Sequence, residues 1–411
     1  MAQSEVRAVQ ASVEELSSVS TSIRDINRAR IISFIRRNPH TTRAELSRLT
    51  GLSKGTVSNH VCEMIGQGIL YEVQEQAGQQ RNMGLKLDRE AGSAIGIELS
   101  SDGCRGVVTD VDIRPLKRVF HPLPSRAVEP VVDLIMSVAQ DLIDGSDRPL
   151  LGLVVGVSGA CDVSGQELLI AESLGWSGVP LAPMLQERLS CPVSLVNRPR
   201  AGVVGERWYG AGRGEDNLIY ISVSSGIAAG IMIDGALLTG ANNFAGEIGH
   251  TVVEYEEGQE CVCGNHGCLE TVASIPAIMR NIRSRLLEER ARGRLALLSS
   301  QELLSFRDVV EAARNGDPTV LDEIRRACGY LGVTVANLID IFNPRLVIIG
   351  GQLAEAGEIV TNAVRNTAQR RSFPLCFSDV QIVSSLLGLD SVGIGACALV
   401  VDQYLARVGT V

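Results

Sequence analysis

From about residue 90 onward the chain repeats one pattern, an apolar run that stops on glycine. AIGIEL (94–99) and GVVTDVD (106–112) read as paired strands, and LLGLVVGVSG (150–159) as a buried strand ending in glycine. DNLIYISVSSGIAAGIMIDG (216–235) gives two strands around a Ser-Ser-Gly turn, and RLVIIGG (345–351) closes a late strand on a double glycine. Runs this short and this apolar are strands buried on both faces. They alternate with helical segments such as VVDLIMSVAQDLI (131–143), which predicts an α/β architecture. The strand-glycine motif recurs near 97–106, 221–230 and 347–351, so the expectation is two α/β lobes facing each other across a cleft. No solenoid-type repeat is present. The 42 glycines are scattered singly among apolar runs, as tight loops require, and GSDRP (145–149) reads as a short connector.

Ahead of this region lies a different kind of segment. DINRARIISFIRRNP spaces Ile26, Ala29, Ile32 and Ile35 as a helix, widened by Ile31 and Phe34, that Pro39 ends. Thr42 with Glu45 three residues on makes a capping box for a second helix, whose apolar contacts are Ala44, Leu46 and Leu49. Gly51 breaks that helix where a left-handed turn is easy. Ser53 then caps a third helix with Val57, Val61, Met64 and Ile65 inside. Two short helices joined by a GLS turn form a helix-turn-helix. The third helix offers Ser53, Lys54, Thr56, Ser58, Asn59 and His60 on its first turns, short polar groups able to reach base edges in a major groove. ILYEVQEQAGQQRNMGLKLD follows as two strands around a glycine tip, a wing with Arg81 placed for phosphate or minor groove.

Charge supports this reading. Arg24, Arg28, Arg30, Arg36, Arg37, Arg43, Arg48 and Lys54 face only Asp25 and Glu45, a net +6, so on a chain of net −9 the rest carries −15. A basic module on an acidic body is the footprint of local nucleic-acid binding. A solvated helix face gives the same count. The expected partner is double-stranded operator DNA, an inverted repeat if the protein is a homodimer or tetramer. No secretory signal and no uninterrupted membrane-length run is seen, so the expectation is a cytoplasmic protein with no membrane partner. The expected organisation is a tail at 1–22, a winged helix-turn-helix at 23–88 and the two-lobed body at 89–411.

Two short stretches carry the chemistry. In GEIGHTVVEYEEGQECVCGNHGCLE (246–270), Cys261, Cys263 and Cys268 lie within eight residues, with His250 eleven upstream of the first. Three thiolates and an imidazole suit tetrahedral Zn²⁺, and a site filled by four protein ligands is structural rather than catalytic. CxC is less common as a ligand spacing than CxxC, a redox-active thiol pair is an alternative, and His266 competes with His250 as the nitrogen ligand. In VNRPRAG (196–202), a strand stops at Asn197 and Arg198 and Arg200 flank a proline. Strand ends of α/β proteins are where ligands usually bind.

GERWYGAG, GANNFAGEIGHT and CVCGNHGCLET closely resemble the ROK family of repressors, open reading frames and sugar kinases, over about residues 90–405. The winged module in front resembles that of the repressor branch. The resemblance implies an actin-like, ribonuclease-H-like pair of lobes and zinc at His250, Cys261, Cys263 and Cys268. It also implies a sugar held by Asn197, Glu247, His250 and Glu270. ROK kinases carry Asn-Asp where this chain has Asn197-Arg198, and that aspartate is their general base; arginine, with a pKa above about 12, cannot replace it. The phosphate loops differ too, with Glu98-Leu99-Ser100-Ser101-Asp102 for Asp-x-Gly-Gly-Thr and Ser224-Ser225-Gly226 for Gly-Thr-Gly; Gly350-Gly351 is retained. The reading is therefore a sugar-responsive repressor without kinase activity or ATP use. Arg198 either contacts an anionic ligand or pairs with an acidic neighbour such as Glu206. The rival readings are an active sugar kinase with a fused DNA-binding domain, and a regulator controlled by a protein partner.

Overall fold

The computed structural model describes residues 23–38, 40–77, 80–288, 295, 298 and 303–407. The described chain divides into two compact units. The first contains the residues up to Asn197 with Asp234–Leu237 and the chain from Gly393; the second contains Arg198–Ile233 and Leu238–Val392.

The first unit opens with the helices Ile23–Arg37, Arg43–Thr50 and Lys54–Gly66. Ile31, Ile35, Leu46, Val57, Val61 and Met64 form their shared core. The capping box forms as expected, with Thr42 Oγ1 accepting from Glu45 N at 3.2 Å and Thr42 N donating to Glu45 Oε2 at 2.9 Å. Gly51 takes the left-handed conformation (φ 70°). Ala44 is exposed rather than packed, because it lies on the opposite side of its helix from Leu46. Strands Leu70–Ala77 and Gln80–Leu87 pair antiparallel as the wing. A bridge between Thr42 and Gly84 ties the wing to the helices, and a Cβ at Gly84 would lie 2.9 Å from His40 O.

The first unit's five-stranded sheet has the order Val193–Asn197, Leu150–Val157, Ser93–Leu99, Gly103–Asp110, Pro115–Pro122. The first three strands run parallel, Gly103–Asp110 turns back antiparallel, and Pro115–Pro122 turns again to pair antiparallel with it. In the second unit, Ile227–Ile233, Leu218–Val223, Leu346–Gly350 and Gln381–Ser384 lie in that order, with one antiparallel pair followed by two parallel ones. The same arrangement of antiparallel hairpin and parallel crossovers thus occurs once in each unit, which is the source of the recurring strand-glycine motif. Apolar residues cover the sheets with helices on the faces, as parallel strands require.

Ser391–Arg407 is the last helix. The segment Gly388–Ala406 has the length and composition of a membrane span, but Ile394, Ala396, Cys397, Val400 and Val401 are buried, which makes it a core helix. Within the first unit it lies directly on the sheet: a Cβ at Gly96 would sit 1.9 Å from Gly393 O, and Cys397 Sγ is 3.4 Å from Ala94 O and from Val107 O. Burial pushes that thiol up to about 12. One turn before its end, Asp402 pairs with Arg36 of the first helix, whose side chain is 4% exposed.

Candidate functional site

The helix-turn-helix presents an open recognition surface. Ser53 caps the third helix by accepting from Thr56 N at 3.1 Å, and the two hydroxyls, Ser53 Oγ and Thr56 Oγ1, lie 2.8 Å apart. Ser53, Lys54 and Asn59 are exposed and Thr56 and Ser58 half-buried. Ser58 Oγ accepts from Arg43 Nη1 at 3.0 Å, so Arg43 braces the recognition helix from the preceding one. His60 corrects the sequence reading. It is buried, 7% exposed, because it shares the inward face with Val57, Val61 and Met64. Arg81 lies on the second wing strand, and its side chain falls outside the described residues, as do residues 1–22 and Pro39.

The basic island is more committed than its count implied. Arg24 pairs with Glu63, Arg28 donates to Gln67, Arg30 to Thr50 O, Arg36 pairs with Asp402 and Arg43 with Glu72. Lys54 and Arg48 are exposed and hold no ion pair among the described residues. They flank the turn, where a phosphate backbone is gripped in this motif. Arg48 escaped sequence reasoning because one arginine among eight cations carries no mark of which are already paired.

The second constellation is built on the strand Ile227–Ile233. Ala229 N donates to Gly246 O at 2.7 Å, and Cβ atoms at Gly246 and Gly249 would collide with Ala229 O and Ile227 O at 2.0 and 2.2 Å. The two glycines of GEIGH therefore let the loop run backbone-to-backbone along the strand, with Glu247 between them. Glu270, in the first turn of the helix Leu269–Ala273, accepts from Ile227 N at 3.1 Å. A side chain at Gly226 would lie 2.6 Å from Glu270 Oε2. Glu247, His250 and Glu270 are thus all fixed against the same end of one strand.

His250, Cys261, Cys263 and Cys268 bring their ligand atoms within 4.8 Å of one another. Cys261 Sγ lies 3.6 Å from His250 Nδ1 and Cys263 Sγ 3.7 Å from Cys268 Sγ. Zn–S bonds of about 2.3 Å and Zn–N bonds of about 2.0 Å give tetrahedral edges of roughly 3.5–3.8 Å, so the cluster is compatible with a structural zinc. Gly264 and Gly267 turn the loop at φ 85° and 72°. Burial raises the Cys261 thiol and pushes Cys268 up to about 12, while a backbone hydrogen bond at Asn265 lowers Cys263. His266 is exposed on a bridge with Glu260 and stands outside the cluster.

VNRPRAG resolves into two roles. Asn197 ends its strand and donates from Nδ2 to Gly159 O at 3.0 Å. Arg198 begins the helix Arg198–Tyr209 and is buried, 8% exposed. The Glu206 carboxylate accepts from Ser385 Oγ and Ser391 Oγ and from the amides of Ala211, Leu386 and Leu387. Arg200, 3% exposed, donates to Asn243 Oδ1, to Thr239 O at 3.0 Å and to Ala245 O at 3.5 Å. It clamps the loop that leads into Gly246-Glu247. The sequence gives no sign of this, since two of the three acceptors are backbone carbonyls some forty residues away.

Ser100 and Ser224, in the segments 98–102 and 224–226, are held by hydrogen bonds within the protein. Ser100 Oγ donates to Asp102 Oδ1 at 2.5 Å and to Gly103 O at 3.0 Å. Ser224 Oγ accepts from Gln352 N at 3.2 Å and would lie 2.7 Å from a Cβ at Gly351. A serine hydroxyl thus takes an amide of the Gly350-Gly351 turn.

A winged helix-turn-helix on an actin-like body defines a class of DNA-binding regulators built on a sugar-kinase scaffold. Residues 94–403 match the ROK family model and residues 24–71 a winged helix-turn-helix DNA-binding model; the chain belongs to the ROK family. It is 31% identical over 395 residues to a xylose repressor from Caldicellulosiruptor bescii, covering 94% of this chain and 98% of that one. A glucokinase from Thermotoga maritima is 33% identical over 311 residues, covering 75% of this chain and 97% of the enzyme. A crystal structure of a ROK family transcriptional regulator, a homologue of the E. coli MLC protein, superposes with a TM-score of 0.81 at 24% identity, covering 93% of this chain and 97% of that one.

Proposed function

We propose that this chain is a transcriptional repressor that binds operator DNA through its winged helix-turn-helix and is controlled by a small sugar, with the kinase chemistry of its scaffold lost. One observation carries the reading: the chain joins an open recognition helix to a sugar-kinase scaffold whose base position is Arg198. Xylose repressors match it along nearly its whole length. Ser53, Lys54, Thr56, Ser58, Asn59 and Arg81 are the assigned DNA contacts, with Arg48 added by its exposure beside the turn. The protein works where the DNA is, in the cytoplasm, as a homodimer or tetramer on an inverted repeat, which supplies two half-sites for two recognition helices.

The sugar-binding assignment rests on chemistry. Glu247 and Glu270 supply carboxylates, Asn197 an amide and His250 an imidazole N–H, groups that hydrogen-bond hydroxyls. His250 Nδ1 with the thiolates of Cys261, Cys263 and Cys268 would hold zinc, which would fix the imidazole and leave Nε2–H to donate. Arg198 sits where a general base would be needed, and the Ser100 hydroxyl and the Gln352 amide are both spent on partners within the protein. Ligand control requires a sugar that binds the DNA-bound and DNA-free conformations with different affinities.

An ADP-release assay with a panel of sugars tests the loss of catalysis. The expected result is no turnover above a protein-free blank; sugar-dependent turnover that follows the protein through purification would overturn it.

A further inference from the structure

Helices Pro318–Phe342 and Glu358–Arg371 of the second unit touch and then part. At Gly332 the contact is close, since a Cβ there would lie 2.6 Å from Thr367 Cβ. One turn earlier, at Gly329, a Cβ would meet nothing within 4 Å. The helices diverge there around a groove of about 580 Å³ lined by Arg326, Gly329, Tyr330, Thr367, Arg370 and Arg371. That volume is in the range of small-molecule sites, roughly 300–1,000 Å³.

Several arginines of the same unit are committed to partners away from this groove. Arg314 donates to Glu355 O at 2.7 Å, Arg365 to Ile382 O and to Asn362 Oδ1, and Arg285 to Thr319 O. Arg370 and Arg371 are exposed and make no hydrogen bond or ion pair among the described residues. Arg326 gives Nε and Nη2 to Glu323, at 3.0 and 2.9 Å, and Nη2 also to Val272 O. The carboxylates beside the groove are committed. Glu323 is buried and bridged by Arg326 and Asn281, and Glu254 accepts from Tyr330 Oη at 2.6 Å. Arg326 also stacks over the Tyr330 ring at 5.5 Å, which gives the groove a rigid wall.

Last-turn arginines complement a helix C-terminus, and that alone accounts for one cation at this end. It does not account for two unpaired guanidiniums lining one groove together with a third. We propose that this groove binds a small phosphorylated organic anion, separate from the sugar contacts. A phosphate monoester brings up to two charges and three acceptor oxygens, enough to engage Arg370, Arg371 and the Thr367 hydroxyl together, whereas a single carboxylate satisfies one fork. The Tyr330 ring and Val333 supply an apolar wall for the carbon skeleton.

The test is calorimetry on the full-length protein at fixed physiological salt, with glycerol 3-phosphate and inorganic pyrophosphate as probes and glycerol as the neutral control. The proposal expects saturable binding of at least one phosphate probe, none of glycerol, and at least a tenfold loss of affinity in the R370Q/R371Q variant. Glu247→Gln, aimed at the sugar contacts, should leave phosphate binding within twofold. The two arginines are exposed, so a melting curve unchanged in R370Q/R371Q excludes misfolding, and R370K/R371K should retain part of the affinity. No saturable phosphate binding, or equal binding by R370Q/R371Q, would overturn the proposal. So would a changed sedimentation mass in that variant, because the groove would then belong to a contact between copies.

Discussion

Replacing Arg200 by methionine removes the cation that braces the loop leading into Gly246-Glu247, and a weakened effector response is the expected result. The guanidinium holds Asn243 Oδ1 and the carbonyls of Thr239 and Ala245, and the residue is 3% exposed. Methionine fills most of the volume and none of the hydrogen bonds. Hydrogen bonds to a charged group contribute about 1.5–3 kcal/mol each in buried settings. Thr239 and Ala245 are only half-buried, so water recovers part of this and a net loss of about 2 kcal/mol is the reasonable lower value. If the Gly246-Glu247 segment must be re-ordered when the sugar binds, that loss appears in the effector affinity as a factor of about 30. The assay is a sugar titration of the protein–operator complex by fluorescence anisotropy. The expected outcome is operator affinity within twofold of the parent and a half-saturating sugar concentration raised about 30-fold. An unchanged sugar response would refute the reasoning, because the loop would then hold its place without the clamp.

Other consequences follow from the same geometry. The parent should carry one zinc per chain by elemental analysis, and Cys268→Ser should lose it and weaken the sugar response; full induction without metal would remove zinc from the account. Gly226→Ala forces a Cβ to within 2.6 Å of Glu270 Oε2, and the displaced carboxylate should raise the effector concentration needed without lowering the melting temperature by more than a few degrees. Lys54→Ala and Arg48→Ala should each reduce the slope of log affinity against log salt by about one, whatever the DNA sequence. Ser53→Ala should cost about 1 kcal/mol of stability through the lost helix cap, read as an earlier midpoint in urea unfolding of the first unit.

How much of this was legible before any coordinates depended on the range of the interaction. The capping box at Thr42 and Glu45, the left-handed Gly51 and the Ser53 cap are local chemistry, and each forms as read. The thiol–imidazole loop was legible for the same reason, since its glycines and ligands are close in sequence, although only the fold separates His250 from His266. His60 was misread by residue type, when its spacing from Val57 and Val61 already put it on the inner face. The roles of Arg200 and Glu206 were out of reach. Their partners are carbonyls, serines and amides 5 to 185 residues away, and no pattern of residue types announces them. The fate of the basic island was equally hidden, because Asp402, the partner of Arg36, lies at the other end of the chain.

The central claim is that a sugar controls this protein's hold on DNA, and anisotropy on DNA from upstream of its own gene tests it most directly. Neutral sugars and their 6-phosphates would be titrated in parallel at one salt concentration, because affinity depends steeply on ionic strength. The account predicts tight binding to a fragment containing an inverted repeat and a sugar-specific change in that affinity of at least tenfold. Tight DNA binding that no sugar or sugar phosphate alters would contradict it and leave the helix-turn-helix under some other control.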